Sequence, residues 1–181
     1  GNFESLVEDK TPATTTISDD TDTTTVSLSA TPTVTEGGTI TYTATLTSAA
    51  QTPVTVNLNN GETITIAAGQ ATGSITTTAN DDVYVGGDTA SVAIVSSTGG
   101  NFENLVEDKT PATTTISDNT DTTTVSLSAT PTVTEGGTIT YTATLTNAAQ
   151  TPVTVNLNNG ETITIAAGQA TGFVTTTASD D

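Results

Sequence analysis

The stretch GTITYTATLT, residues 38–47, alternates without a break. Ile40, Tyr42, Ala44 and Leu46 fall on one face of an extended chain, and Thr39, Thr41, Thr43, Thr45 and Thr47 fall on the other. Successive side chains of a strand point to opposite sides, so this pattern predicts a strand with one face in a core and one in water. Threonine suits the wet face, because a β-branched side chain fits a pleated surface and a hydroxyl tolerates solvent.

The same alternation extends in both directions. Upstream, TTTVSLSA from Thr23 places Val26 and Leu28 on one side and is followed by the loop TPTVTEGG. Downstream, SAAQTP turns the chain and Pro53 opens a strand through Val54, Val56 and Leu58, where a missing N–H does little harm. Asn60-Gly61 reads as a tight hairpin turn, ETITI as a strand through Ile64 and Ile66, and ATGSITTTA as a strand with Gly73 at a bulge. After the loop NDDVYVGGD, TASVAIVSS turns Val92 and Ile94 inward, and a last strand runs from near Phe102 to Ile116, with Pro111 marking an edge or a kink. Seven short strands, turn signals between them and no helical period predict an all-β, immunoglobulin-like antiparallel sandwich.

This unit is written more than once. Residues 100–181 align without a gap on 1–82, a period of 99 residues, and differ only at Ser5/Asn104, Asp20/Asn119, Ser48/Asn147, Ser74/Phe173, Ile75/Val174 and Asn80/Ser179. A period of about a hundred residues is a whole-domain repeat rather than a solenoid unit. The expected organisation is tandem sandwiches arranged head to tail. Residues 1–20 are the last strand of a preceding repeat, 21–120 a complete repeat, and 121–181 the first five strands of the next, so that the chain reads as a window on a longer array.

Composition removes several chemistries. There are two Lys, no Arg, His, Cys, Met or Trp, and 20 acids, for a net charge of −18. Without His or Cys there is no Ser-His or Cys-His nucleophile, no ordinary zinc site and no disulfide framework. So little positive charge offers no grip on a phosphate backbone, so nucleic acid is not an expected partner. No apolar run is long enough to span a membrane, and residues 1–20 lack the features of a signal peptide.

The acids are not scattered. With strands alternating in direction, the loops after the first, third and fifth strands and the end of the seventh share one pole. That pole receives Glu36, Glu62, Asp81, Asp82, Asp88, Asp118 and Asp121, whereas the turns SAAQTP, AAGQ and STGGN at the other pole contain no acid. Converging carboxylates repel unless neutralised, and hard oxygen ligands on flexible loops suit calcium better than magnesium or a transition metal. The predicted calcium ligands are therefore Glu36, Asp81, Asp82, Asp88, Asp118 and Asp121, together with Asp19, Asp20 and Asp22 in the first linker and Glu135, Asp180 and Asp181 in the following unit. Asn119 stands one period after Asp20, and since an Asn oxygen can still coordinate, that position is expected to contribute geometry rather than charge. The competing reading is a solvated acidic cap.

Other features carry less. Lys109 beside Glu107 and Asp108 reads as a surface ion pair, with a Lys-Asn isopeptide bond as the sharper alternative. The threonine faces could contact ice or polysaccharide, but solvated β-branched residues look the same. A glycosidase would need paired carboxylates beside an aromatic sugar platform, and the acidic pole has no such platform, so no enzymatic activity is expected.

VTEGGTITYTATLT, QTPVTVNLNNGETITIAAGQATG, DDVYVGG and GGNFENLVEDKTPATTTISD together resemble the extender repeats of giant bacterial biofilm adhesins, the large-adhesion (Lap) type with RTX features. The resemblance runs over essentially the whole chain. It implies an extracellular bacterial surface protein exported by type I secretion, whose repeats contact neighbouring repeats of the same chain and hold a ligand-binding tip, located elsewhere, away from the cell. In such extenders calcium occupies domain junctions. The alternative is that a repeat face itself binds polysaccharide, ice or another cell.

Overall fold

The computed structural model describes residues 1–181 as fifteen strands. The complete repeat contains β1 (Thr23–Ala30), β2 (Thr33–Thr35), β3 (Thr39–Leu46), β4 (Val54–Leu58), β5 (Thr63–Ile66), β6 (Thr72–Thr78), β7 (Asp88–Val92), β8 (Ile94–Gly99), β9 (Asn104–Glu107) and β10 (Ala112–Ser117). One layer is the sheet β6-β3-β1-β9; the other is built from β5-β4-β8 and β2-β10-β7. Pairing is antiparallel throughout except β1 with β9 and β2 with β10, where the beginning and end of the sandwich run in the same direction.

The alternation in residues 38–47 is realised in full. Ile40, Tyr42, Ala44 and Leu46 are buried and meet Val54, Val56, Leu58, Ile64, Ile66, Val92, Ile94 and Ile116 from the opposite layer in one core. At ~25 cal/mol per Å² of apolar surface removed from water, this strip is the main source of cohesion. The molecule is an all-β, immunoglobulin-like sandwich.

Two of the seven expected strands are divided, and a short strand is added, which gives ten. The sixth breaks at Ala93, where β7 pairs with β10 and β8 pairs with β4. Asn59 fills the break: its N–H donates to the Ala93 carbonyl at 3.0 Å, and its Oδ1 accepts the Ala93 N–H at 3.1 Å. The seventh breaks between Glu107 and Ala112, crossing from β1 in one layer to β7 and β2 in the other. Pro111 stands at that crossing, so the kink read from the sequence is a change of layer. The added strand is β2, which the sequence assigned to a loop.

Two local expectations are corrected. Gly73 is not a bulge: it lies in register opposite Ala44, and a Cβ there would sit 2.5 Å from the Thr65 carbonyl oxygen, so glycine is required by the close approach of β5. In the turn after β4 only Gly61 takes positive φ (88°), while Asn60 Oδ1 accepts the Glu62 N–H at 3.1 Å.

Residues 1–22 form no strand, and Phe3, Leu6, Val7 and Ile17 are exposed. The residues of β10 recur at 13–18, but there they lack the flanking β7 and β2 that hold β10 in place. The second unit comprises β11 (Val125–Ala129), β12 (Thr138–Leu145), β13 (Val153–Asn156), β14 (Thr162–Ile165) and β15 (Thr171–Thr177), ordered β11-β12-β15 and β13-β14. Its buried core is Ala143, Ile163 and Ile165, and Val125 and Leu127, equivalent to Val26 and Leu28, are exposed because nothing equivalent to β7–β10 covers them.

Candidate metal site at the acidic pole

Three segments of the complete repeat are tied together at its acidic end. The Glu36 N–H donates to the Ser117 carbonyl at 2.9 Å, and the Gly37 N–H donates to the Ala79 carbonyl at 3.2 Å, joining the loop after β2, the end of β10 and the loop 79–87. Gly37 turns with φ 74°, and Asp81 packs directly over it.

Onto this frame the acids are placed one by one. Asp81 Oδ1 accepts from Asn119 Nδ2 at 3.0 Å, Asp82 Oδ1 accepts the Tyr84 N–H at 2.7 Å, and Asp118 Oδ2 accepts the Gly86 N–H at 3.1 Å. Each bond fixes one carboxylate oxygen and leaves a second on the same group.

Glu36 is at the centre. It is only 8% exposed, yet its Oε2 is buried with no hydrogen-bond partner, and so is Asn119 Oδ1 beside it. Burial pushes the Glu36 carboxyl above the ordinary range, and the negative charges of Asp82 and Asp118 add to that, against the opposing pull of the Asn119 backbone N–H. An orphaned buried carboxylate oxygen among other carboxylates is a costly arrangement for a protein to keep. No three carboxylates of the chain are gathered into a preformed metal cage.

The remaining acids named from the sequence are placed elsewhere. Asp121 lines a cleft with Val83, Tyr84, Val85, Asp118, Asn119 and Thr120, directly beside the cluster. Asp88 opens β7 and accepts the N–H of its neighbour Thr89, and Glu62 stays in the turn after β4. Glu135 and Asp180 sit in the equivalent loops of the second unit, with Asp180 over Gly136, and Asp181 follows at the chain end. Asp19 and Asp20 are exposed in the segment 1–22.

The opposite pole is not free of acid. Glu103 follows the turn after β8, and its Oε2 accepts the Asp22 N–H at 2.6 Å, so Asp22 belongs to the lower pole of its repeat and not to the acidic cluster. The sequence reading counted Glu103 as part of the last strand, which starts one residue later.

Sequence reasoning also passed over Tyr84. Its hydroxyl donates to the Ala148 carbonyl at 2.8 Å, from the acidic-pole loop of one unit to the turn after β12 in the next. The available signal was an aromatic residue, rare in this chain, inside an otherwise polar loop. Lys109 donates to the Val95 carbonyl and lies 3.8 Å from Glu107, more than half exposed, which is an ion pair and not the buried pairing an isopeptide bond needs.

The LapA domain family model matches residues 22–119 and again 121–181, dividing the chain at the period found above. This chain belongs to the LapA domain family. The boundary between the two LapA domains falls at Thr120, in the linker that carries Asp118, Asn119 and Asp121. Membership indicates an adhesin-related role and a place at the cell surface. No curated protein matches the chain. Among solved structures, the human OSCAR ligand-binding domain aligns over 85% of this chain and 82% of its own at 11% identity, with a TM-score of 0.28, which bears on neither fold detail nor function. No helix of either LapA domain is long and apolar enough to cross a membrane.

Proposed function

We propose that this chain is a spacer segment of a large bacterial adhesin. Its tandem LapA domains are stiffened at their junctions by calcium, and they project a separate ligand-binding region away from the cell. The observation that carries this reading is the buried, unpartnered Glu36 Oε2, beside Asp82, Asp118 and Asn119, with Asp81 hydrogen-bonded to Asn119, where one domain passes into the next.

The donor set fits calcium: carboxylate and amide oxygens on loops, with no nitrogen or sulfur ligand in the chain. When bound, the ion supplies positive charge that neutralises the cluster and cross-links its segments. Asp81, Asp82 and the linker residue Asp118 would hold it with Glu36, and Asn119 would contribute its orphaned carbonyl oxygen. Because Asp118 and Asn119 belong to the linker, ion binding would restrain the next domain.

Calcium titration of the 181-residue protein tests this. Extracellular modules bind calcium at about 10⁻⁴ to 10⁻³ M, and a hundredfold excess over Kd would add about 2.7 kcal/mol of stability. Calorimetric binding in this range, with a rise in Tm over the same protein in chelator, is the expected result. Absence of both would leave the acidic pole as a solvated cap.

A further inference from the structure

The two copies of the linker sequence differ at the position where Asn119 meets the cluster. After Asp118 stands Asn119, whereas at the equivalent place after Asp19 stands Asp20. It is one of only six differences between the copies, and it lies at the acidic pole.

We propose that this position sets the calcium concentration at which a junction stiffens, an inference that rests on the calcium reading above. An Asn junction holds together without the ion and binds it more weakly. An Asp junction binds more tightly and loosens more completely when calcium is withdrawn.

The argument starts from what Asn119 does. Its Nδ2 donates to Asp81 Oδ1 at 3.0 Å, so with no ion bound the amide ties the linker to the loop 79–87 and offsets part of the negative charge there. Its Oδ1 is buried and unpartnered, so the same side chain also presents a free oxygen ligand. An aspartate has no N–H to donate and adds a charge facing Asp81, Asp82 and Asp118. It therefore destabilises the ion-free junction and raises the charge of the ligand set, which is one of the two properties that tune calcium affinity in oxygen sites. The 92% burial of Glu36, with its orphaned Oε2, keeps the cluster from relaxing fully into water.

The test uses the whole 181-residue protein and calcium alone as the probe. Wild type, Asn119→Asp and the double variant Asp81→Asn/Asn119→Asp are compared by isothermal titration and by melting in chelator. Asn119→Asp should bind calcium about tenfold more tightly, given how strongly ligand charge count moves Kd, and melt at a lower temperature in chelator. The double variant, which restores the charge count, should return both values toward wild type. Folding of Asn119→Asp only in calcium would also support the proposal. Should that variant not fold at all, Asn119→Ala takes its place, with weaker calcium binding and a lower Tm in chelator expected. Unchanged values in Asn119→Ala would overturn the proposal. If wild type binds and Asn119→Asp binds equally well, the grading is wrong and the calcium reading stands; if neither binds, both fall.

Discussion

Glu36 combines burial with an unmatched oxygen, and its proton inventory follows from that. Its carboxyl is raised above the ordinary value in the folded state, so without metal the fold binds the proton more tightly than the unfolded chain does. That contribution to stability is present below the ordinary carboxylate range and is lost as pH rises through the raised value. In chelator, wild-type stability should therefore fall across that window relative to Glu36→Gln, which cannot ionise. Chemical denaturation at a series of pH values reads the difference directly. In calcium the order reverses, because Glu36→Gln removes a charged ligand and should lose most of the calcium-induced rise in Tm. Glu107 has the opposite sign: Ser97 donates to it through Oγ at 2.7 Å and N–H at 2.8 Å, lowering its carboxyl, so its contribution is lost only as pH falls below the ordinary range.

Among the elements, the alternating strands were legible because burial of one face imposes a period of two, and the buried residues of β3, β4 and β5 are those the alternation singles out. The divided strands were not, because a change of layer depends on partners far along the chain. Ala93 is interrupted by Asn59, and Pro111 marks a crossing that the sequence reduces to a kink. The acidic cluster was partly legible, since strand direction alone brought Glu36, Asp81, Asp82 and Asp118 to one pole. Asn119 was legible as an oxygen donor in place of Asp20, but its amide bond to Asp81 was not, because that depends on the fold bringing the linker to the loop 79–87. Glu103 was missed because one residue decides whether it lies in a strand or a turn. Thr114 shows what pattern alone does not capture: it is fully buried in β10 and donates its hydroxyl to the Thr31 carbonyl at 2.6 Å, fastening β10 beside β2. Thr114→Val keeps the shape, strands that carbonyl, and should cost about 1–2 kcal/mol in urea unfolding. Gly73→Ala forces β5 and β6 apart and should cost about 1–3 kcal/mol in the same assay.

At the scale of the whole molecule, the junction has hydrogen bonds independent of metal and a set of charges opposed to them. Tyr84 reaches from one domain to the Ala148 carbonyl of the next, while in the linker Asn119 is hydrogen-bonded to Asp81, and Asp118 and Asp121 line the cleft beside Val83, Tyr84 and Val85. With calcium bound, charge neutralisation and the tyrosine contact act together and the two domains should hold an extended arrangement of roughly 35 to 45 Å per repeat, judged from strand rise. In chelator the carboxylates repel, only the Tyr84 hydrogen bond of ~1 kcal/mol reaches the next domain while Asn119 holds the linker to Asp81, and the domains should sample bent arrangements. Small-angle scattering should therefore give a larger radius of gyration in millimolar calcium than in chelator. Asp82→Ala combined with Asp121→Ala should give the chelator value even in calcium, and Tyr84→Phe should shorten the mean dimension in chelator while leaving the calcium state nearly unchanged. A radius of gyration that ignores both calcium and the double substitution would mean that the tyrosine contact and the short linker set the shape, and that the carboxylates serve only to keep the surface hydrated.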